Sequence, residues 1–146
     1  MKFFNIKEKL DSLPQFIKFA IVGASGTVID FLILIILKNV GFHTLIANAL
    51  SFTAGLTNNY FWNSRWTYKE TVEKFSMDQF IKFTVVSLIG LGLNSIILLV
   101  LESPIEKLIG MPGLGYLPAK VIATIIVLFW NYMANRKWTF NPSKGT

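Results

Sequence analysis

The chain reads as an all-α integral membrane protein. It is expected to form four transmembrane helices as two parallel tandem hairpin repeats, with both termini cytoplasmic. Three observations carry that expectation. First, the composition is too apolar for a soluble domain of this size: 53% of the 146 residues are hydrophobic and 15% are charged, and mean hydropathy is +0.53. Second, four stretches, about 17–37, 45–63, 82–101 and 117–135, approach the ~20 apolar residues that a helix needs to cross the hydrocarbon core. Third, two strings recur. Gln15-Phe16-Ile17-Lys18-Phe19 returns as Gln79-Phe80-Ile81-Lys82-Phe83, and Asn63-Ser64-Arg65-Trp66-Thr67-Tyr68 returns as Asn135-Arg136-Lys137-Trp138-Thr139-Phe140.

In chain order, residues 1–12 form a cytoplasmic amphipathic lead-in, with Phe3, Phe4, Ile6 and Leu10 set among Lys2, Lys7 and Lys9. Such a segment suits an anionic leaflet. The membrane domain follows over 13–141, with repeat one at 13–69 and repeat two at 77–141. Each repeat opens on a capping-box pattern, Ser12-x-x-Gln15 and Ser76-x-x-Gln79. Pro14 fits a first helical turn, where its missing N–H has no role. The second outer loop, 102–116, is longer than the first. It carries Gly110, Pro112, Gly113 and Gly115, and is expected to be the most flexible element.

Charge sets the orientation. Eleven Lys and Arg residues fall on the side holding the N-terminus, the 64–81 loop with Lys82, and the C-tail; Lys38, Lys107 and Lys120 fall on the other. The positive-inside rule places the first side in the cytoplasm. Basic residues therefore flank apolar runs and form no separate basic domain, which argues against nucleic acid as a partner despite the net charge of +6. The first apolar run is too long, and too directly followed by another, for a cleavable signal peptide. There is no cysteine and a single His43, so neither a thiolate nor a His-rich metal site is expected, and no cofactor. No nucleophile–base set, paired carboxylates at depth or Gly-rich phosphate loop points to an enzyme.

Polar residues inside the apolar runs carry the candidate chemistry. Gly23, Gly26 and Asp30 share one helical face, and Ser87, Gly90 and Asn94 repeat the spacing 64 residues later. Such a stripe serves as a packing seam, but a carboxylate at membrane depth is costly and is usually partnered or functional. On the second helix of each repeat, Asn48, Gly55, Asn59 and Asn63 correspond to Lys120, Val127, Asn131 and Asn135. These amides either bond across helices or line a polar cavity. Lys120 either snorkels outward or turns in to pair with Asp30. At the closing strings, Arg65, Arg136 and Lys137 sit beside Trp66 and Trp138. Interfacial indoles and positive-inside cations are ordinary, but cations with hydroxyl and amide donors at a helix end also make a phosphate site.

At these residues the chain resembles the GtrA-like family of small four-helix membrane proteins. The matching features are Phe16-Ile17-Lys18-Phe19-x-x-x-Gly23, Asp30, Asn58-Asn59-Tyr60, Asn63-x-Arg65-Trp66-Thr67-Tyr68 and Asn131-Tyr132-x-x-Asn135-Arg136-x-Trp138-Thr139-Phe140, over about residues 13–141. The resemblance implies translocation of a polyprenyl-phosphate-linked sugar across the bacterial cytoplasmic membrane, for cell-surface polysaccharide or teichoic acid glycosylation. Membrane glycosyltransferases would make and use that lipid. Arg65, Arg136, Lys137 and Lys120 would then engage lipid phosphate. Asp30, Asn48, Asn59, Asn63, Asn94, Asn131 and Asn135 would line the path for the sugar, and Trp66 and Trp138 would pack at the interface. So narrow a bundle also admits a groove at a homodimer interface. Two other readings remain. A non-transporting scaffold for a glycosyltransferase would use the basic, Trp-rich motifs as docking surface. A small multidrug exporter would use Asp30 for proton exchange, although the eleven-to-three charge split disfavours the dual topology of some such exporters.

Overall fold

The computed structural model describes residues 2–72 and 74–141; the side chains of residues 2–4, 44, 45, 48, 95, 98, 116, 117 and 120 lie outside that description. All secondary structure among the described residues is helical. Five α-helices follow in order: α1 Lys2–Asp11, α2 Gln15–Asn39, α3 Thr44–Trp62, α4 Met77–Ile109 and α5 Tyr116–Ala134. α3 and α5 each run on into a π-helical turn, Asn63–Thr67 and Asn135–Thr139. The helices divide into two compact units, one ending at Phe75 and the other spanning Ser76–Asn141. Each is an antiparallel hairpin, α2 with α3 and α4 with α5.

α2 and α4 are long and apolar enough to cross a membrane, and only 11% and 12% of their most apolar windows are buried. The remainder presents Val28, Phe31, Leu32, Ile35 and Ile36 on α2, and Leu88, Leu91, Ile96, Leu99 and Val100 on α4, to the surroundings. An exposed apolar surface of that extent suits lipid, not water.

Each hairpin closes along a narrow seam. In the first, Phe19, Val22 and Gly26 of α2 and Ala47, Ser51 and Gly55 of α3 are buried, with Gly55 set against Gly26. In the second, Phe83, Val86 and Gly90 of α4 and Ala119 and Ala123 of α5 are buried, with Gly90 set against Val127 and Asn131. Small side chains let the backbones approach, as membrane helices do where packing replaces the hydrophobic effect. A methyl on Gly55 would lie 2.7 Å from the Gly26 carbonyl oxygen. The seam thus runs through 19, 22, 26 and 30. Of the expected 23, 26 and 30 it leaves out only Gly23, since nothing lies within 4 Å of where a Gly23 methyl would be, while Gly26 and Asp30 both lie against Gly55.

Three other expectations need correction. The first capping box does not form. Pro14 is the N-cap of α2 and not part of its first turn, and the Ser12 hydroxyl donates back to the Lys9 carbonyl (2.8 Å). At α4, Ser76 Oγ does accept from the Gln79 N–H, at 3.4 Å, but the reciprocal half is missing because Gln79 Oε1 is buried with no partner among the described residues. Last, the outer loop expected over 102–116 is half helix. α4 continues through Pro104 to Ile109 and stops at Gly110, whose φ of +66° only glycine adopts cheaply.

Candidate functional site

The two recurring strings are the two sides of one joint. Within the first hairpin, Phe19 of the opening string stacks edge-on against Tyr68 of the closing string, at 6.4 Å between centroids. Within the second, Phe83 meets Phe140 at 6.2 Å. All four rings are buried. The π turn delivers the closing aromatic. The Tyr68 N–H reaches the Asn63 carbonyl and the Phe140 N–H reaches the Asn135 carbonyl, each at 2.8 Å and five residues back. That wider turn carries one extra residue per loop of helix. Asn63, Thr67, Asn135 and Thr139 pack inside it, all below 7% exposed, while Arg65, Arg136 and Lys137 point outward.

The cations differ in company. The Arg65 guanidinium lies over the Phe61 ring at 4.9 Å. Arg136 and Lys137 make no ion pair among the described residues. Trp66 is half-buried, and its indole N–H donates to Asp11 Oδ1 (3.1 Å). Lys18 lies 5.8 Å over the same indole and donates to the Asp11 carbonyl (2.7 Å). Lys69 pairs with Asp11 Oδ1 at 3.6 Å. α1 is thereby latched to the closing turn. Trp138, the counterpart in the second hairpin, is 41% exposed.

The polar residues of the helices gather on the seams. Asn59 packs onto Gly26, and Asn131 onto Gly90, where a methyl would lie 2.8 Å from Asn131 Oδ1. One turn further along α2, the Asp30 Cβ lies 3.2 Å from where Gly55 would carry a methyl. Asp30 Oδ1, Asn59 Oδ1 and Asn131 Oδ1 are all buried with no hydrogen-bond partner among the described residues. Asn94 is half-buried at the position matching Asp30. Asn135 is engaged: its amide N–H reaches the Asn131 carbonyl (2.8 Å) and its Oδ1 accepts from Thr139 (2.7 Å). Asn48 and Lys120 lie on α3 and α5, but their side chains are outside the described residues, as is Lys144 altogether. Arg65 stands in the first hairpin and Arg136 and Lys137 in the second.

Sequence reasoning missed Asp11, Trp130 and the π turns. The Trp130 indole donates to the Val86 carbonyl (3.2 Å), across the second hairpin. The π turns left a signal, the five-residue spacing from Asn to aromatic in both closing strings. Asp11 left none, because its partner is 55 residues away.

YngA, an uncharacterized membrane protein of Bacillus subtilis strain 168, is 29% identical over 142 residues, covering 97% of this chain and 88% of that one. A dolichol-phosphate mannosyltransferase of Pyrococcus furiosus is 27% identical over 128 residues, 88% of this chain, which spans about a third (34%) of that enzyme. The GtrA/DPMS transmembrane domain matches residues 18–140, from the buried lysine of the opening string to the last aromatic of the closing one, and the chain belongs to that family of membrane proteins.

Proposed function

We propose that this protein translocates a polyprenyl-phosphate-linked sugar across the bacterial cytoplasmic membrane, for glycosylation of cell-surface polysaccharide or teichoic acid, and performs no covalent step. α2, α3, α4 and α5 each span the bilayer as two parallel repeats, with both termini in the cytoplasm. At 1.5 Å per residue, α4 is about 50 Å long and exceeds a ~30 Å core. Its surplus, with Glu102, Glu106 and Lys107, stands on the outer side.

One observation carries this reading. Each hairpin holds an asparagine oxygen against a glycine with no partner for it among the described residues, and the first adds an Asp30 oxygen. Burying a polar group unpaired costs roughly 2–7 kcal/mol in an apolar medium. Sugar hydroxyls are donors, and bare acceptor oxygens spaced along two seams offer them successive partners. A phosphate-sugar head cannot cross hydrocarbon alone; a polar path lowers that barrier while the polyprenyl tail stays in lipid. Arg65, Arg136 and Lys137 face outward at the cytoplasmic end, where phosphate would first be met.

The test is transbilayer movement of a polyprenyl-phosphate sugar in liposomes containing the purified protein. Movement is expected, and it should be lost in Asn59→Leu and Asn131→Leu protein shown to be folded. Undiminished movement in both variants would refute the path. Asp30→Asn and Lys120→Ala should each impair it, and less than additively together if the two pair. A scaffold role draws support from the Pyrococcus furiosus relative, where the matched third belongs to a chain named as a mannosyltransferase. Folded protein that moves no lipid, yet whose loss depletes a glycosyltransferase from the membrane, would favour that reading.

A further inference from the structure

Beside the first hairpin, between α1, α2 and the closing turn, lies a cavity of about 390 Å³. That is within the ~300–1,000 Å³ typical of small-molecule sites. Leu10, Ile21, Val22, Trp62 and Trp66 make its walls apolar. Three polar residues also line it, and two are already engaged. The Asp11 carboxylate accepts from the Trp66 indole and pairs with Lys69. The Ser25 hydroxyl donates to the Val22 carbonyl (2.7 Å) and accepts from the Asn58 amide (3.1 Å). The third, Lys7, is exposed and makes no ion pair among the described residues. What remains is an apolar slot with one available ammonium. Ile21 and Trp62, 43% and 48% exposed, leave it open toward the surface that faces lipid.

A slot of this chemistry fits an apolar chain carrying one anionic head. We propose that it seats the phosphate-proximal isoprene units of a polyprenyl phosphate, with the phosphate at Lys7 and the chain along Ile21, Val22 and the two indoles. This rests on the translocation reading for the identity of the lipid and for the cytoplasmic placement of α1. The slot belongs to the first hairpin alone, since its outer wall is α1 and no helix among the described residues precedes α4 in that position. It gives the lipid a defined entry point, one turn from the Asn59–Gly26 contact: Val22 is in its wall and Gly26 lies four residues on.

The experiment uses the full chain in phosphatidylcholine nanodiscs and a diazirine-bearing polyprenyl phosphate. Crosslinks are expected on α1 and on the Trp62–Trp66 segment. Unlabelled polyprenyl phosphate should compete at least about tenfold better than phosphatidylglycerol, a difference of ~1.4 kcal/mol. Ile21→Trp, which fills the slot from an exposed position, should cut labelling about tenfold, and Lys7→Glu should also weaken it. Leu10→Trp fills it from the other wall and guards against a local fold defect. Equal labelling of both filled variants, or equal competition by phosphatidylglycerol, would overturn the slot. The two readings fail separately. Labelling lost in Ile21→Trp from a wild-type chain that moves no lipid would sink translocation and leave the slot standing. Translocation with undiminished labelling in both filled variants would do the reverse.

Discussion

The two closing turns are spelled alike and wired differently. In the second hairpin the turn satisfies itself: Thr139 donates to Asn135 Oδ1, and the Asn135 amide donates to the Asn131 carbonyl. In the first, Asn63 Oδ1 and Thr67 Oγ1 are buried with no partner among the described residues. That turn is held from outside instead. The Gln15 amide donates to the Thr67 carbonyl (3.2 Å), and Asp11 of α1 receives the Trp66 indole. Repetition in the sequence therefore sets the shape of the backbone, which both turns share, while hydrogen bonding follows from what each turn has beside it. The first turn has a preceding helix to lean on, and among the described residues the second has none.

If the joint itself is common to both, its largest contacts should matter equally. Tyr68→Ala and Phe140→Ala each remove a ring that is 1% exposed. Each should cost about 3–5 kcal/mol in reversible unfolding in mixed micelles. A large loss at one and a small loss at the other would break the equivalence. The seams should come next. Gly26→Ala drives a methyl into the Asn59 amide and Gly90→Ala into Asn131, so each should cost roughly 1–3 kcal/mol. Gly23→Ala and Gly92→Ala meet nothing within 4 Å and should be neutral, or stabilising by up to ~1 kcal/mol through helix propensity.

That last contrast shows where the sequence was legible. The long helices were, because twenty apolar residues in a row have few alternatives. The face that α2 turns inward was not. Gly23 and Gly26 look alike as letters, and the neighbouring helix decides which of them is the contact. The outer end of α4 was hidden for another reason. Glu102, Pro104, Glu106 and Lys107 read as loop, since a proline forfeits one backbone bond and clashes with the turn before it. The helix nevertheless continues, and Gly115 folds its α-carbon against Glu102 and Glu106, a close return that no larger residue would permit. In the candidate site, the Asn and Arg positions were visible through their recurrence. Their division of labour was not: the Asn and Thr residues of the closing strings turn inward to build the π turn, and the cations turn outward.

The wiring difference makes a sharper prediction than the shared joint does. Thr139→Val removes a hydroxyl that is bonded and strands the Asn135 oxygen, so it should cost about 1–3 kcal/mol. Thr67→Val removes a buried hydroxyl with no partner among the described residues and should be neutral or slightly stabilising. Equal effects in the two unfolding curves would mean that the turns are wired alike after all.

The smallest expected effect isolates the latch. Asp11→Ala removes the acceptor of the Trp66 indole and the partner of Lys69, but not the Asp11 carbonyl that receives Lys18. The ion pair is between side chains that are 42% and 37% exposed, so it contributes little. The indole bond is worth on the order of 1 kcal/mol. Asp11→Ala should therefore loosen α1 without releasing it, and adding Lys18→Met should release it. In a chain whose other tryptophans are phenylalanine, iodide quenching of Trp66 should rise modestly for the first change and steeply for the pair. The same changes with Trp138 as the sole tryptophan should leave its quenching untouched, because its indole makes no hydrogen bond among the described residues and its hairpin carries no counterpart of α1. A full rise from Asp11→Ala alone would mean that the carboxylate is the whole latch and that Lys18 holds nothing without it.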